Sequence, residues 1–269
     1  MKLATSTLGC PDWSLSEILD NVKSYGYDGV ELRGLGPDLD LTQSPHFATK
    51  SALEQTRRTF ADAGLEICSV DTSAAFADPA RAKQGLAEAR NALTLAHALD
   101  APFVRVFGGS VPAGATRVQA IQSLVASLRA LGEDAEKSGD VTVILETHDD
   151  FSTGAQVAEV LTQVAHPRVA ALWDLHHPYR QGESPEETWA ALGAFVRHVH
   201  VKDSRPPDDY CLLAEGDIPI LTMLRLLKHN GYDGWISLEW EKRWHPRLAD
   251  PSVAFPQYAA QLREMLAQL

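Results

Sequence analysis

The chain has 269 residues, 45% hydrophobic and 22% charged, with 24 Lys and Arg against 36 Asp and Glu for a formal net charge of −12. That length suits one large α/β barrel or two ordinary domains. The acidic balance, with no stripe of Lys and Arg to neutralise a phosphate backbone, argues against a nucleic-acid partner, and no apolar run approaches the roughly 18 residues a membrane span needs.

Short β-branched or apolar runs alternate with segments of helical period, each change marked by Gly, Pro, Asp or Ser. In chain order, strands are expected at Leu3–Ser6, Gly29–Leu32, Glu66–Val70, Phe103–Phe107, Thr142–Glu146, Ala170–Trp173, Val196–Val201 and Trp235–Glu239. Between them lie helical patterns such as Leu86 to Leu99 and Val118 to Ala135. Ser184, followed by Pro185, Glu186 and Glu187, reads as an N-cap with proline at the first helical position. Eight strands with intervening helices in about 250 residues predict an α/β fold, a single-domain (β/α)8 TIM barrel over 1–269, with its active site where the strands end. A doubly wound open sheet would need a Gly-rich turn after the first strand, and TSTLGCPDWS lacks one. The stretch from Arg205 to Gly216 is longer than a usual connection and is expected to fold over the site.

The opening MKLATSTLGCPDWS has no apolar core of a signal peptide, and Cys10, Cys68 and Cys211 are an odd count in no metal-finger spacing. Reduced thiols and a cytoplasmic location are the expectation.

Four consecutive strands end in ILETHDD, ALWDLHH, HVHVKDS and ISLEWEK, which places Glu146, Asp174, His200 and Glu239 at equivalent heights. Any one alone reads as an ordinary charge facing solvent. Three carboxylates and an imidazole converging on one mouth would repel one another without a cation, so together they point to one bound divalent metal. Oxygen and nitrogen donors without thiolate suit Mn²⁺, Mg²⁺, Co²⁺ or Zn²⁺. Residues two apart on a strand share a face, so His148 joins Glu146, and Lys202 joins His200. Lys202 is placed to stabilise an oxyanion and His148 to relay a proton, with a structural role as the alternative for each. His198 reads as a core histidine one layer lower. His177, three residues after Asp174, is expected above the mouth and able to bind a substrate hydroxyl, whereas His176 reads as a solvated or packing residue. Glu31, Arg33, Asp71 and Arg105 end earlier strands, where they either bind substrate or pair as buried ions; pairing is the expectation for Glu31. Trp240, Trp244 and His245 are candidate pocket walls, with helix packing the alternative for Trp244.

GYDGVELR, VRVFGG, ILETH, WDLHH, HVHVKDS, GDIPI and ISLEWE, in that order, resemble the xylose-isomerase-like barrel superfamily of sugar isomerases and epimerases. The resemblance implies that Glu146, Asp174, His200 and Glu239 bind the metal, Mn²⁺ foremost, and that Glu146 and Glu239 serve as acid and base. It also implies that His177 binds substrate, while Arg205 matches a family arginine only approximately. The implied activity is isomerisation or epimerisation of a small sugar or keto-polyol through a metal-stabilised enediolate, in a possible homo-oligomer. The alternative is a metal-dependent dehydratase of a keto-inositol or dehydroshikimate-like substrate, because some dehydratases of the superfamily carry a histidine two residues after the strand-five glutamate, as His148 is here. Endonuclease IV-like cleavage would need about three metals and a basic face. A barrel without turnover is the third class, and the intact ligand set counts against it.

Overall fold

The computed structural model describes residues 1–269. The chain runs through β1 (Lys2–Ser6), α1 (Leu15–Ser24), β2 (Gly29–Leu32), α2 (Lys50–Asp62), β3 (Glu66–Ala75), α3 (Pro79–Ala98), β4 (Phe103–Phe107), α4 (Arg117–Ser138), β5 (Thr142–Glu146) and α5 (Gly154–Val164). It continues through β6 (Val169–Asp174), α6 (His176–Arg180), α7 (Pro185–Leu192), β7 (Val196–Val201), β8 (Asp203–Arg205), β9 (Asp209–Cys211), α8 (Ile220–His229), β10 (Trp235–Leu238) and α9 (Pro251–Ala267). Eight parallel strands close into a barrel in the order β1-β10-β7-β6-β5-β4-β3-β2, and β8 and β9 form a separate two-stranded sheet. This is the (β/α)8 architecture that the strand spacing predicts. No helix is long and apolar enough to cross a membrane.

Helix starts follow local chemistry. The Asp78 carboxylate accepts from Ala80 N and Pro79 supplies the first turn, so α3 begins seven residues before its apolar period becomes visible at Leu86. Thr116 and Gln119 form a reciprocal capping box at α4, as Ser184 and Glu187 do at α7.

Contacts divide the chain into two compact units, Met1–Cys68 with Val199–Leu269, and Ser69–His198. In the first, β1 pairs in parallel with β2 (Ser6 opposite Glu31) and with β10 (Thr5 opposite Leu238). Phe255 and Tyr258 of α9 are fully buried, and the Tyr27 hydroxyl donates to Phe255 O at 2.8 Å. In the second, β4 pairs with β3 (Asp71 opposite Arg105) and β5 with β4 and β6. Ile144, Ala170 and Leu172 form one buried cluster against which Phe103 packs; full burial of Ile144 or of Leu172 contributes about 1.5–3 kcal/mol. His198 lies edge-on to Phe103 at 5.6 Å, one layer below the strand ends, where the sequence puts a core histidine.

Candidate metal centre

Within residues 69–198, period-two alternation places Glu146 on the face of Ile144, Arg105 on that of Phe103, and Asp174 on that of Ala170 and Leu172. The lower residues build the apolar layer, so the next position up each strand carries a charge into the interior. Glu146 and Asp174 are fully buried and Arg105 is 1% exposed. Arg105 Nε lies 3.3 Å from Glu146 Oε2 and Nη2 lies 3.5 Å from Asp71 Oδ2. Nη1 donates to Thr72 O at 3.1 Å, and the guanidinium stacks on Phe107 at 4.0 Å. One cation between two carboxylates offsets part of the cost of burying all three. Of the two roles open to Arg105, the geometry displays ion pairing.

Asp174 Oδ1 accepts from His176 N at 2.7 Å, and its Oδ2 lies 3.8 Å from His177 Nε2. The one-turn helix α6 therefore folds back over the carboxylate that precedes it. The His177 and His148 rings meet edge to face at 4.7 Å, and His148 also lies 4.7 Å from Phe107. His148 Nδ1 is 3.1 Å from Asp149 Oδ1, and Asp149 adopts a left-handed φ of 52°. Burial pushes the Asp149 carboxyl up, but the hydrogen bond and charge of His148, with Arg105 behind it, bring it below its ordinary value.

Within 1–68 and 199–269, His200 is fully buried, with Nε2 2.7 Å from Glu31 Oε1 and Nδ1 3.5 Å from Glu239 Oε1. The 2.7 Å contact has hydrogen-bond length and a carboxylate only accepts, so the proton is placed on Nε2; in the neutral ring Nδ1 then carries the lone pair that a metal ligand needs. The pairing expected of Glu31 is thus with the histidine itself. Lys202, 1% exposed, bonds Glu239 Oε2 and lies 3.0 Å from Glu241 Oε1. Glu241 was legible only through its spacing, two residues beyond Glu239 on an extended segment.

The stretch Arg205–Gly216, expected as a long connection folding over the site, carries β9 and is anchored by Asp203. The Asp203 carboxylate accepts from four backbone amides: Ser204 and Ala214 at 2.9 Å, Gly216 at 3.1 Å and Ile218 at 3.4 Å. Burial raises its pKa against the pull of those donors. A Cβ on Gly216 would lie 2.1 Å from Asp203 Oδ1 and 2.2 Å from Ser204 O, so only glycine admits this approach. Arg205 is half exposed, 3.0 Å from Glu215 and 3.6 Å from Asp209. Trp240 is buried, whereas Trp244 is 47% exposed.

Glu146, Asp174, His200 and Glu239 each offer one ligand atom, and these four atoms lie within 4.8 Å of one another. Glu146, Asp174 and His200 lie on β5, β6 and β7 and Glu239 directly follows β10, four strands that are consecutive in the barrel. Three carboxylates and an imidazole, all buried and without a thiolate, form a donor set that fits one hard or borderline divalent ion.

A model of the family described as xylose isomerase-like TIM barrel matches residues 19–268, and the chain belongs to that family. It is similar to an inosose dehydratase of Clostridium botulinum, 26% identical over 168 residues, which cover 54% of this chain and 53% of that protein. It is also similar to the fructoselysine 3-epimerase of Escherichia coli O157:H7, 30% identical over 122 residues, 43% of this chain and 44% of that one. The match thus spans about half the length of these relatives. Among solved structures, the IOLI protein with a bound zinc superposes with a TM-score of 0.82 at 19% identity, over 100% of this chain and 99% of that one, a likeness of fold.

Proposed function

We propose that the chain is a divalent-metal-dependent isomerase or epimerase of a small sugar or keto-polyol, with Glu146, Asp174, His200 and Glu239 holding the ion. The observation that carries this reading is the buried convergence of four donors within 4.8 Å. An ion held there by these four residues would act as a Lewis acid on a substrate carbonyl and its neighbouring hydroxyl, and so would acidify the C–H of the hydroxyl-bearing carbon. Glu146 and Glu239 handle the proton: one takes it from that carbon and the other returns one, to the opposite face for epimerisation or to the adjacent carbon for isomerisation. Arg105 fixes the carboxylate plane of Glu146, and Lys202 does the same for Glu239. His177, 18% exposed beside Asp174, is available to a substrate hydroxyl. Mn²⁺, Mg²⁺, Co²⁺ and Zn²⁺ all suit the donors, and a zinc-bound neighbour of the same fold supports the general class.

The contact of His148 with His177 favours a second reading, loss of water from a keto-polyol, because an imidazole next to the hydroxyl-binding position can protonate a leaving hydroxyl. The inosose dehydratase relatives agree with it. Replacing His148 with Ala separates the two. A fall in kcat of about 10²–10⁴ with metal retained assigns His148 to proton transfer, and unchanged kcat restricts it to packing.

A further inference from the structure

Beside the metal centre, the β8–β9 hairpin and the segment joining β10 to α9 border an open cavity of about 450 Å³, lined by Arg205, Tyr210, Trp240, His245, Arg247 and Leu248 among others. The volume falls within the roughly 300–1,000 Å³ of small-molecule sites. We propose that this cavity receives a second sugar ring, so that the substrate is a glycoside or disaccharide rather than a free monosaccharide. The inference rests on the function proposed above.

Both walls are built rather than draped. On one side Trp240 Nε1 donates to Ala249 O at 2.9 Å, Lys242 Nζ donates to Pro246 O at 2.9 Å, and Arg243 donates to the carbonyls of Gly36 and Pro37 at 2.7 and 2.6 Å. On the other, the four amide bonds to Asp203 fix the hairpin. A cavity held open by such bonds loses little order when a ligand enters.

The lining chemistry selects the ligand. Arg205 and Arg247 supply donors, and Asp208, Asp209 and Glu215 supply acceptors. A phosphate would require a cationic rim, and here carboxylates outnumber guanidiniums. Hydroxyl groups both donate and accept, and a polyhydroxylated ring satisfies such a mixed rim. Tyr210 and His245 stand at 81° with ring centroids 5.3 Å apart, giving an aromatic corner for the C–H face of a ring.

Position links the cavity to the reaction. Trp240 directly follows Glu239, and the Tyr210 ring centroid is 5.7 Å from Lys202 Nζ, which is itself bonded to Glu239. A ring seated on Tyr210 is therefore one side chain away from the proposed base.

The test is saturation-transfer NMR of the full-length protein, metal-loaded and EDTA-treated, with cellobiose, maltose and trehalose compared with glucose. At least one disaccharide should bind the EDTA-treated protein more tightly than glucose. Tyr210→Ala should weaken that binding about three- to tenfold, the scale of one aromatic contact. Arg247→Ala, a change at an exposed position, should weaken it too. The inference is overturned if no disaccharide outcompetes glucose, or if binding persists unchanged in both cavity variants. Metal-dependent exchange of a substrate C–H is a separate readout, so its failure would strike the proposed reaction and leave the cavity result standing.

Discussion

His200 has a carboxylate beside each ring nitrogen, Glu31 at 2.7 Å from Nε2 and Glu239 at 3.5 Å from Nδ1. Glu31 fixes the tautomer, so Glu31→Gln should lower metal affinity about 10–100-fold while the fold persists, as read by competition with a chromogenic chelator. Unchanged affinity would remove Glu31 from the site. Glu239→Gln should lower kcat about 10²–10⁴-fold with an unchanged circular dichroism spectrum, and a fully active variant would end its role as a proton carrier. At this scale the sequence is legible where a charge ends an apolar strand, as at Glu146, Asp174, His200 and Glu239. It is less legible where partners come from distant segments. Arg105 carries no mark that distinguishes an ion pair with Glu146 from a substrate contact. Lys202 reads as an oxyanion donor until Glu239 and Glu241 are seen to hold it.

The hairpin β8–β9 hangs on one carboxylate and one missing side chain. Gly216→Ala would force a Cβ to within 2.1 Å of Asp203 Oδ1, and should destabilise the protein by about 1–3 kcal/mol in a denaturant titration. Hydrogen exchange should quicken first at the amides of 214, 216 and 218. In the same hairpin, burial raises the Cys211 thiol from an ordinary value of 9.0 to about 11. The unfolded thiol ionises first as pH rises, so this group favours folding below pH 9 and loses that contribution between about 9 and 11. Ellman's reagent at pH 8 should therefore label Cys211 only after unfolding. Barrel strands are legible as elements because apolar runs and breakers bound them. β9 is not, since DYC is short and polar and pairs only through the register that Asp203 sets. β3 likewise runs five residues past its predicted end, because Asp71 to Ala75 follow β4 through a bulge rather than through an apolar run.

At the level of the whole molecule, eight-strand closure is readable from the βα alternation, and it sets β5, β6, β7 and β10 side by side. An ion bound only by the folded barrel must stabilise it. At a free-metal concentration of 100 times Kd the gain is about 2.7 kcal/mol, or roughly 5–10 °C in Tm over an EDTA-treated control, and the Glu146→Gln variant should lose most of that shift. The central claim is that these four strand ends hold an ion used to move a proton on a carbon next to a carbonyl. Proton NMR in D₂O tests it most directly, with metal-loaded and EDTA-treated protein and a panel of ketoses, keto-inositols and their glycosides. The account predicts metal-dependent deuterium incorporation beside the carbonyl, with appearance of an isomer. Exchange at equal rates with and without metal, or none with any carbonyl polyol, would contradict it.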